Sequence, residues 1–253
     1  MAGDAVRAVS RCLRRVAAAG ALVAAAAAPA AAQMPGMPEM KEMMSWGRTL
    51  FVLFDQLEYS PAGEGRPVNV EAVAWYGGAY QRLWLRAQGE MATTGRDADG
   101  EVEILYGRLI DPFWDAVVGL HVDQHWGGDI PTRTLLTLGF LGLAPYRLEL
   151  EPTLYVSQRG EVTARLEAGF PLLITQRLIA EPEFELNASF QEVPRYELRR
   201  GLNNYEMGIR VRYEFIREVA PYMGWSRSRR FGVGDVRTED AQWRFVIGLR
   251  LWR

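Results

Sequence analysis

Cysteine, lysine and histidine are all scarce in this chain. Cys12 is the only cysteine among 253 residues, Lys41 is the only lysine, and His121 and His125 are the only histidines. Cys12 lies inside the N-terminal leader described below. The rest of the chain therefore has no disulfide framework, no thiolate metal site and no cysteine nucleophile.

Catalytic and phosphate-binding motifs are also missing. The sequence contains no G-x-S-x-G, no H-E-x-x-H and no glycine-rich phosphate loop. Beyond the N-terminus no apolar run reaches the 18 residues of a membrane-spanning helix, so none is predicted. A membrane β-barrel is not excluded, because its alternating strands give a much weaker signal per segment.

The N-terminus has the three parts of a secretory signal peptide. Positions 1–15 carry four arginines against one acidic residue, and an alanine-rich run follows that ends at Ala30-Ala31-Ala32. The run is short and is followed by no stop-transfer charges, which argues against a transmembrane anchor. We therefore expect residues 1–32 to be a signal peptide that directs export.

The chain beyond this leader is mildly acidic. The leader holds four of the 29 basic and one of the 31 acidic residues, which leaves 25 against 30 and a net charge near −5. Lys41 is the only lysine beyond the leader, and the other basic residues are arginines. This balance argues against a general polyanion binder, and we expect no nucleic-acid partner.

Alternating segments separated by turn residues fill the chain from residue 48 onward. We count about twelve, and none has a helical apolar stripe. The segments are 48–59, 68–77, 81–91, 101–110, 113–125, 132–142, 146–157, 161–171, 175–190, 203–216, 219–229 and 241–252. This pattern predicts an all-β protein with an even number of strands.

The two faces of these strands differ sharply in polarity. In the segment YRLELEPTLYVS, Leu148 and Leu150 alternate with Arg147, Glu149 and Glu151, so one face is apolar and the other charged. Such a strand suits a soluble β-domain with its charges in water. It equally suits an outer-membrane barrel with its leucines in lipid. Asp55 departs from the pattern, because it falls on the face that we assign to the outside.

The connections between strands favour the membrane barrel. Short turns such as GGAY at 77–80 alternate with longer polar loops such as EVPRYELRRGLN at 192–203. Outer-membrane barrels have short periplasmic turns and longer external loops, with both termini on the periplasmic side. Aromatic residues near strand ends, including Trp75, Trp84 and Trp252, are typical of rings at the membrane interface. We expect an antiparallel transmembrane barrel over residues 48–253, with a lumen filled by paired charges.

A methionine-rich segment precedes this barrel, at residues 33–47. Thioether sulfur is a soft ligand that suits Cu(I), and flexible spacing lets one ion recruit several donors. The alternative is a linker whose methionines have no role. The five candidate ligands are Met34, Met37, Met40, Met43 and Met44.

His121, Asp123 and His125 form a second candidate metal site. Residues at i, i+2 and i+4 of a strand share one face, so these three side chains are expected to point together into the lumen. Imidazole and carboxylate ligands suit Cu(II) or another divalent ion. Two solvated lumen histidines without a metal are an equal alternative. Their inward position also argues against an outer-membrane lipase, which would need a lipid-facing histidine.

Long stretches of the chain resemble the copper resistance protein B family of bacterial outer membranes. The matching stretches include AWYGGAYQRLWLRAQGE at 74–90, EVEILYGRLIDPFWDAVVGLHVD at 101–123 and GIRVRYEFIREVAPYMGW at 208–225. The resemblance covers essentially the whole predicted barrel. It implies an outer-membrane β-barrel that takes part in copper tolerance, with copper-binding methionines and histidines in the N-terminal region.

From the residues and this resemblance together we expect a non-enzymatic copper resistance protein of the outer membrane. It would bind copper and help to export it, sequester it or pass it across that membrane. The expected partners are outer-membrane lipid, copper and a periplasmic multicopper oxidase, and the barrel is expected to be a monomer. The alternative is a structural or small-solute barrel without a metal role.

Overall fold

In a computed structural model of the chain, most of the described residues belong to antiparallel β-strands. The described residues are 47–61, 65–93, 98–126, 130–231 and 242–253. They contain no α-helix, and no helix among them is long and apolar enough to cross a membrane. The expected signal peptide, and the methionine-rich segment up to residue 46, lie outside the described residues.

The described residues form thirteen strands, and the bounds of all but β9 lie within a few residues of the predicted segments. The strands are β1 (Thr49–Tyr59), β2 (Pro67–Gly77), β3 (Gln81–Ala92), β4 (Ala98–Asp111), β5 (Trp114–Trp126), β6 (Arg133–Ala144), β7 (Leu148–Ser157), β8 (Val162–Gly169), β9 (Leu172–Leu173), β10 (Leu178–Ser189), β11 (Gly201–Tyr213), β12 (Val219–Arg230) and β13 (Gln242–Trp252).

Twelve of these strands close into a barrel. Each pairs antiparallel with its neighbours in sequence, β8 pairs with β10, and β13 returns to β1 with Leu53 opposite Trp252. The two-residue strand β9 pairs only with the start of β10 and stands outside the ring. Reciprocal backbone hydrogen bonds between Val52 and Arg253, of 2.9 and 2.8 Å, complete the closure. The prediction of an antiparallel barrel of twelve strands is confirmed.

The two ends of the barrel differ in their connections. β1 begins and β13 finishes at the same end, which we call the terminal end; the opposite end is called the loop end. At the terminal end β2 and β3 are joined by residues 78–80, and β4 and β5 by 112–113. At the loop end β10 and β11 are joined by residues 190–200, and β12 and β13 by 231–241. The connection 158–161 is the short exception at that end.

The apolar faces of the strands point outward and the charged faces point inward. Leu83, Leu120 and Ile247 are 43%, 55% and 49% exposed, whereas Glu58 and Arg210 are only 3% and 8% exposed. A soluble protein would bury the leucines instead, because burial of apolar surface drives its folding. The inverted polarity matches a barrel surrounded by lipid.

Asp55 points into the barrel, so its sequence-based assignment to the outer face was wrong. A β-bulge between Phe54 and Gln56 shifts the register against β2, and both Asp55 and Gln56 line the interior. The extra residue of a bulge reverses the alternation that follows it. Asp55 accordingly pairs with Arg250 Nε at 2.7 Å.

Three of the tryptophans expected at the membrane interface lie inside the barrel. Trp75, Trp84 and Trp252 share the inward face at the terminal end, where Phe51 stacks on Trp75 with ring centroids 5.9 Å apart. Arg82 lies 5.3 Å from the ring of Trp75. These inward rings narrow the terminal end of the lumen. Other rings do face outward as expected, namely Tyr76, Tyr80, Phe113, Trp225 and Trp243.

The polarity of β7 can be tested with spin labels at adjacent positions. Cys12 is the only native cysteine and lies outside the barrel, so single cysteines can be introduced at Leu148 and Glu149. A label at 148 should collide with lipid-soluble oxygen, and a label at 149 with a water-soluble nickel chelate, because Glu149 lines a lumen cavity. The reverse accessibility would contradict the assignment of faces.

Candidate metal centre and the charged lumen

Arginine–carboxylate pairs fill much of the lumen. Among the described residues, seven inward arginines lie within 4.0 Å of at least one carboxylate oxygen: Arg82, Arg86, Arg165, Arg210, Arg212, Arg244 and Arg250. Arg86 contacts Glu103, Glu151 and Glu167, on three different strands. Removing one member of such a buried pair leaves an uncompensated charge. The pairs therefore tie strands together across the barrel as well as neutralising one another.

The carboxylates outnumber the arginines around one lumen cavity of about 270 Å³. It lies against β13 and β1–β3 on one side and β7, β8, β10 and β11 on the other. Its charged lining consists of Arg86, Arg210 and Arg250 together with Asp55, Glu71, Glu149, Glu151, Glu167, Glu181, Glu183, Glu185 and Glu206. Arg165, Arg212 and Arg244 pair with four of these carboxylates from beside the cavity. Nine carboxylates against six guanidinium groups still give a lining that attracts cations.

Another part of the lumen wall, formed by β4 to β6, is packed rather than open. Leu105, Val117 and Leu135 are at most 5% exposed on the inner face, and Thr137 is fully buried beside them. Gly107 lies on the same face, and a Cβ there would come within 2.8 Å of Trp84 Nε1. The interior is therefore divided into a charged, hydrated side and a close-packed side.

The candidate metal site stands on the packed side, where β4 and β5 pair. The register sets Glu103 opposite His121, Glu101 opposite Asp123 and Asp99 opposite His125. Each pair shares the inner face, because both strands alternate with the same period. Three acidic residues on one strand thus meet His, Asp and His on the next.

His121 is held at the centre of this arrangement and is only 2% exposed. Its Nδ1 lies 2.8 Å from Glu103 Oε1, and Tyr155 Oη donates a hydrogen bond of 2.9 Å to the same oxygen. Nδ1–H donates to Glu103, so Nε2 is the ring nitrogen that can bind a metal ion, in exchange for the proton that it shares with Asp123. Nε2 contacts Asp123 and lies 4.0 Å from Glu101 Oε2.

Glu101, His121 and Asp123 can together hold one metal ion. One donor atom from each lies within 4.8 Å of the other two. A set of one imidazole and two carboxylates suits Cu(II) and other borderline divalent ions better than it suits Cu(I). Glu103 would act as the outer partner that fixes the ring, as carboxylates commonly do for metal-bound histidines.

The predicted trio is only partly brought together. His121 and Asp123 are in contact, but His125 lies further towards the loop end, where its Nδ1 is 2.6 Å from Asp99 Oδ1. Glu101 was missed by sequence reasoning. The alternation of Asp99, Glu101 and Glu103 could have indicated it, but only the register of β4 against β5 shows which acid faces which histidine. The five candidate methionines lie outside the described residues.

Arg165 pairs with Glu101, one of the three residues that would bind the metal ion. Its Nη2 lies 2.8 Å from Glu101 Oε2, and the same guanidinium lies within 4.0 Å of Glu167 and Glu185 in the cavity lining. A dication at Glu101 would compete with this guanidinium, because both are attracted to the same oxygen. Arg165 therefore connects the candidate metal site to the acidic cavity.

These features define the class of protein as a closed β-barrel of the outer-membrane type. The solved structure of the NanC porin shares this fold, with a TM-score of 0.51 over 80% of this chain and 99% of that chain, at 14% identity. That likeness concerns the fold alone.

The family is shown by sequence. Residues 48–253 match the family model described as copper resistance protein B precursor, and the chain belongs to that family. It is 35% identical over 206 residues to copper resistance protein B from Escherichia coli, covering 79% of this chain and 68% of the relative. It is 36% identical over 207 residues to a copper resistance protein B homolog from Pseudomonas syringae pv. tomato, covering 80% and 69%.

Removal of Arg210 should destabilise the barrel strongly. Its Nε lies 2.5 Å from Glu58 Oε1, and the guanidinium also contacts Glu183 and Gln56. The variant Arg210→Met leaves the carboxylates of Glu58 and Glu183 without this partner and should lower the free energy of unfolding by about 3–5 kcal/mol. Urea unfolding of the protein in lipid vesicles measures this free energy.

The matched control is Arg177→Met, at an exposed turn, which should change the free energy of unfolding by less than about 0.5 kcal/mol. Equal losses in both variants would contradict the account.

Proposed function

We propose that this protein resides in the outer membrane and contributes to copper resistance by binding copper ions and helping to export, sequester or pass them across that membrane. The observation that carries the proposal is the cluster of Glu101, His121 and Asp123 inside an acidic lumen. Membership of the copper resistance protein B family supports copper as the ion. The proposed role is one of binding and transfer, without catalysis.

The proposed orientation places the terminal end in the periplasm and the loop end outside the cell. The long connections 190–200 and 231–241 at the loop end support it, as do the short turns at the terminal end. A signal peptide over residues 1–32 would deliver the chain to the periplasm before insertion. The metal cluster would then lie towards the external side, and the inward tryptophans towards the periplasm.

The proposed path for copper begins at the methionine-rich segment. Its thioethers would gather Cu(I) on the periplasmic side, since soft sulfur ligands prefer the monovalent ion. The nine carboxylates of the cavity would then concentrate cations inside the lumen. Glu101, His121 and Asp123 would hold Cu(II), with displacement of Arg165 from Glu101 when the ion binds. His125 and Asp99 would offer a further pair of donors nearer the outside.

Two partner assignments belong to the same proposal. A periplasmic multicopper oxidase would oxidise Cu(I), which the thioethers prefer, to Cu(II), which the lumen cluster prefers, and would pass the electron to dioxygen. We also propose that the barrel is a monomer, because β13 pairs with β1 and the closed ring leaves no edge strand for a second copy. Outer-membrane lipid would surround the apolar outer face.

Growth assays distinguish this function from that of a structural or small-solute barrel. Deletion of the gene should increase sensitivity to copper but leave tolerance of zinc and detergent unchanged. The wild-type gene should restore copper tolerance, and the isosteric variant Glu101→Gln/Asp123→Asn should restore it only in part. Equal sensitivity to copper, zinc and detergent would favour the structural barrel.

Copper binding by the purified full-length protein tests the two donor sets separately. Replacement of Met34, Met37, Met40, Met43 and Met44 by Ser should weaken Cu(I) binding, because the thioethers are lost, and should leave Cu(II) binding unchanged. Glu101→Gln/Asp123→Asn should weaken Cu(II) binding by about tenfold or more and should leave Cu(I) binding unchanged.

Glu192→Gln/Glu197→Gln is the matched control for the lumen variant. It makes the same change in net charge at two exposed carboxylates of the connection between β10 and β11, so its Cu(II) affinity should stay close to that of the wild type. Retention of the heat-modifiable gel shift reports that each variant is folded. Wild-type affinity for Cu(II) in a folded Glu101→Gln/Asp123→Asn variant would exclude the lumen site.

A further inference from the structure

Two arginines near the loop end of β12 point out of the barrel. Along this strand Tyr222 and Ser226 are buried on the inner face, while Met223 and Trp225 are 59% and 52% exposed on the outer face. The alternation continues to residues 227 and 229, so Arg227 and Arg229 belong to the outer face. Charged side chains on the lipid-facing side of a barrel are costly except near the interfaces.

Both guanidinium groups lie against outward aromatic rings, and a third joins them from a loop. Arg227 Cζ is 5.3 Å from the ring of Trp243, and Arg229 Cζ is 5.1 Å from the ring of Phe231. Arg199 Cζ, from the connection between β10 and β11, is 5.3 Å from the same Phe231 ring. Cation–π contacts of this kind hold the side chains against the barrel wall. We call these three arginines the outer arginine patch.

The outer arginine patch differs from the arginines of the lumen. Each of the seven lumen arginines discussed above has a carboxylate within 4.0 Å. Within the described part of the chain, no carboxylate comes within that distance of Arg199, Arg227 or Arg229. Three like charges on one small surface repel one another, and an anion bound between them would relieve that repulsion.

The height of the patch on the barrel identifies the kind of anion. Trp225 and Trp243 are 52% and 61% exposed on the same face, next to the patch. Exposed tryptophans of membrane barrels mark the boundary between hydrocarbon and headgroups, where lipid phosphates lie. The planar guanidinium group donates paired hydrogen bonds that match phosphate oxygens.

We propose that Arg199, Arg227 and Arg229 bind the phosphate groups of an anionic lipid in the leaflet at the loop end of the barrel. With the orientation given above this is the outer leaflet, and the ligand is a phosphorylated glycolipid. The inference rests on the outer-membrane location in the proposed function and is independent of its copper role. The aromatic rings of Phe231 and Trp243 hold the guanidinium groups at headgroup height while the phosphates bridge them.

The experiment measures binding of purified lipid A to the full-length protein in detergent micelles by native mass spectrometry. The probes are lipid A, the same lipid with its phosphates removed by phosphatase, and inorganic phosphate. Wild-type protein should bind lipid A about tenfold or more tightly than the dephosphorylated lipid, because charge-assisted contacts to the phosphates are lost. The triple variant Arg199→Gln/Arg227→Gln/Arg229→Gln should lose this preference.

The matched control removes three arginines from the opposite end. Arg48, Arg177 and Arg217 are exposed near the terminal end, and their combined replacement by Gln makes the same change in net charge. This control should keep the preference for lipid A. If the triple variant of the patch does not show the heat-modifiable shift of a folded barrel, the single variant Arg229→Gln is measured instead and should weaken the preference.

Three results would overturn the proposal: equal binding of lipid A and its dephosphorylated form, equal losses in the patch and control variants, or binding of inorganic phosphate as tight as that of lipid A. The last would assign the patch to a free anion. Copper binding and copper tolerance are read in separate assays, so failure of the lipid site and failure of the copper function can be told apart.

Discussion

The pairing of buried arginines with carboxylates is the interaction on which this barrel depends. The outer faces of the strands are apolar except near the loop end, so the charges of nearly every strand must be accommodated in the lumen. An isolated ion there would be costly, but Arg86, Arg165 and Arg210 each contact carboxylates from more than one strand. These ion pairs also link strands across the lumen. Their side chains fill much of the space through which solutes would otherwise diffuse.

An excess of carboxylate over arginine turns this structural network into a candidate binding surface for cations. Around the cavity many carboxylates attract cations without a defined ligand geometry. At His121 the arrangement is specific, because Glu103 and Tyr155 fix the imidazole while Glu101 and Asp123 approach its Nε2. Arg165 spans the two regions through Glu101, Glu167 and Glu185. In the proposed function a copper ion takes the place of that guanidinium at Glu101, so binding rearranges an existing charge pair and requires no new opening of the fold.

The strands and their faces could be predicted from sequence, because alternation of polarity is a local signal. Leu148, Leu150 and Leu154 lie outside and Glu151 lies inside, as expected. Asp55 was misplaced, because a bulge depends on the register of the neighbouring strand and leaves no mark in the pattern. Trp75, Trp84 and Trp252 were misplaced for a different reason. Aromatic residues near strand ends suit either the membrane interface or a packed lumen. Trp75 and Trp84 lie two positions from the cavity-lining residues Val73 and Arg86, and this spacing puts them on the inner face.

The candidate site was less accessible to sequence reasoning than the fold, since it is built from two strands. The spacing of His121 and Asp123 is visible within β5, but their carboxylate partners come from β4 by way of the register.

Copper-soaked crystals of the protein, with diffraction recorded on both sides of the copper absorption edge, test the central claim most directly. The account predicts an anomalous difference peak among Glu101, His121 and Asp123, with Arg165 moved away from Glu101. Copper peaks elsewhere in the lumen, with these three side chains undisturbed, would contradict it.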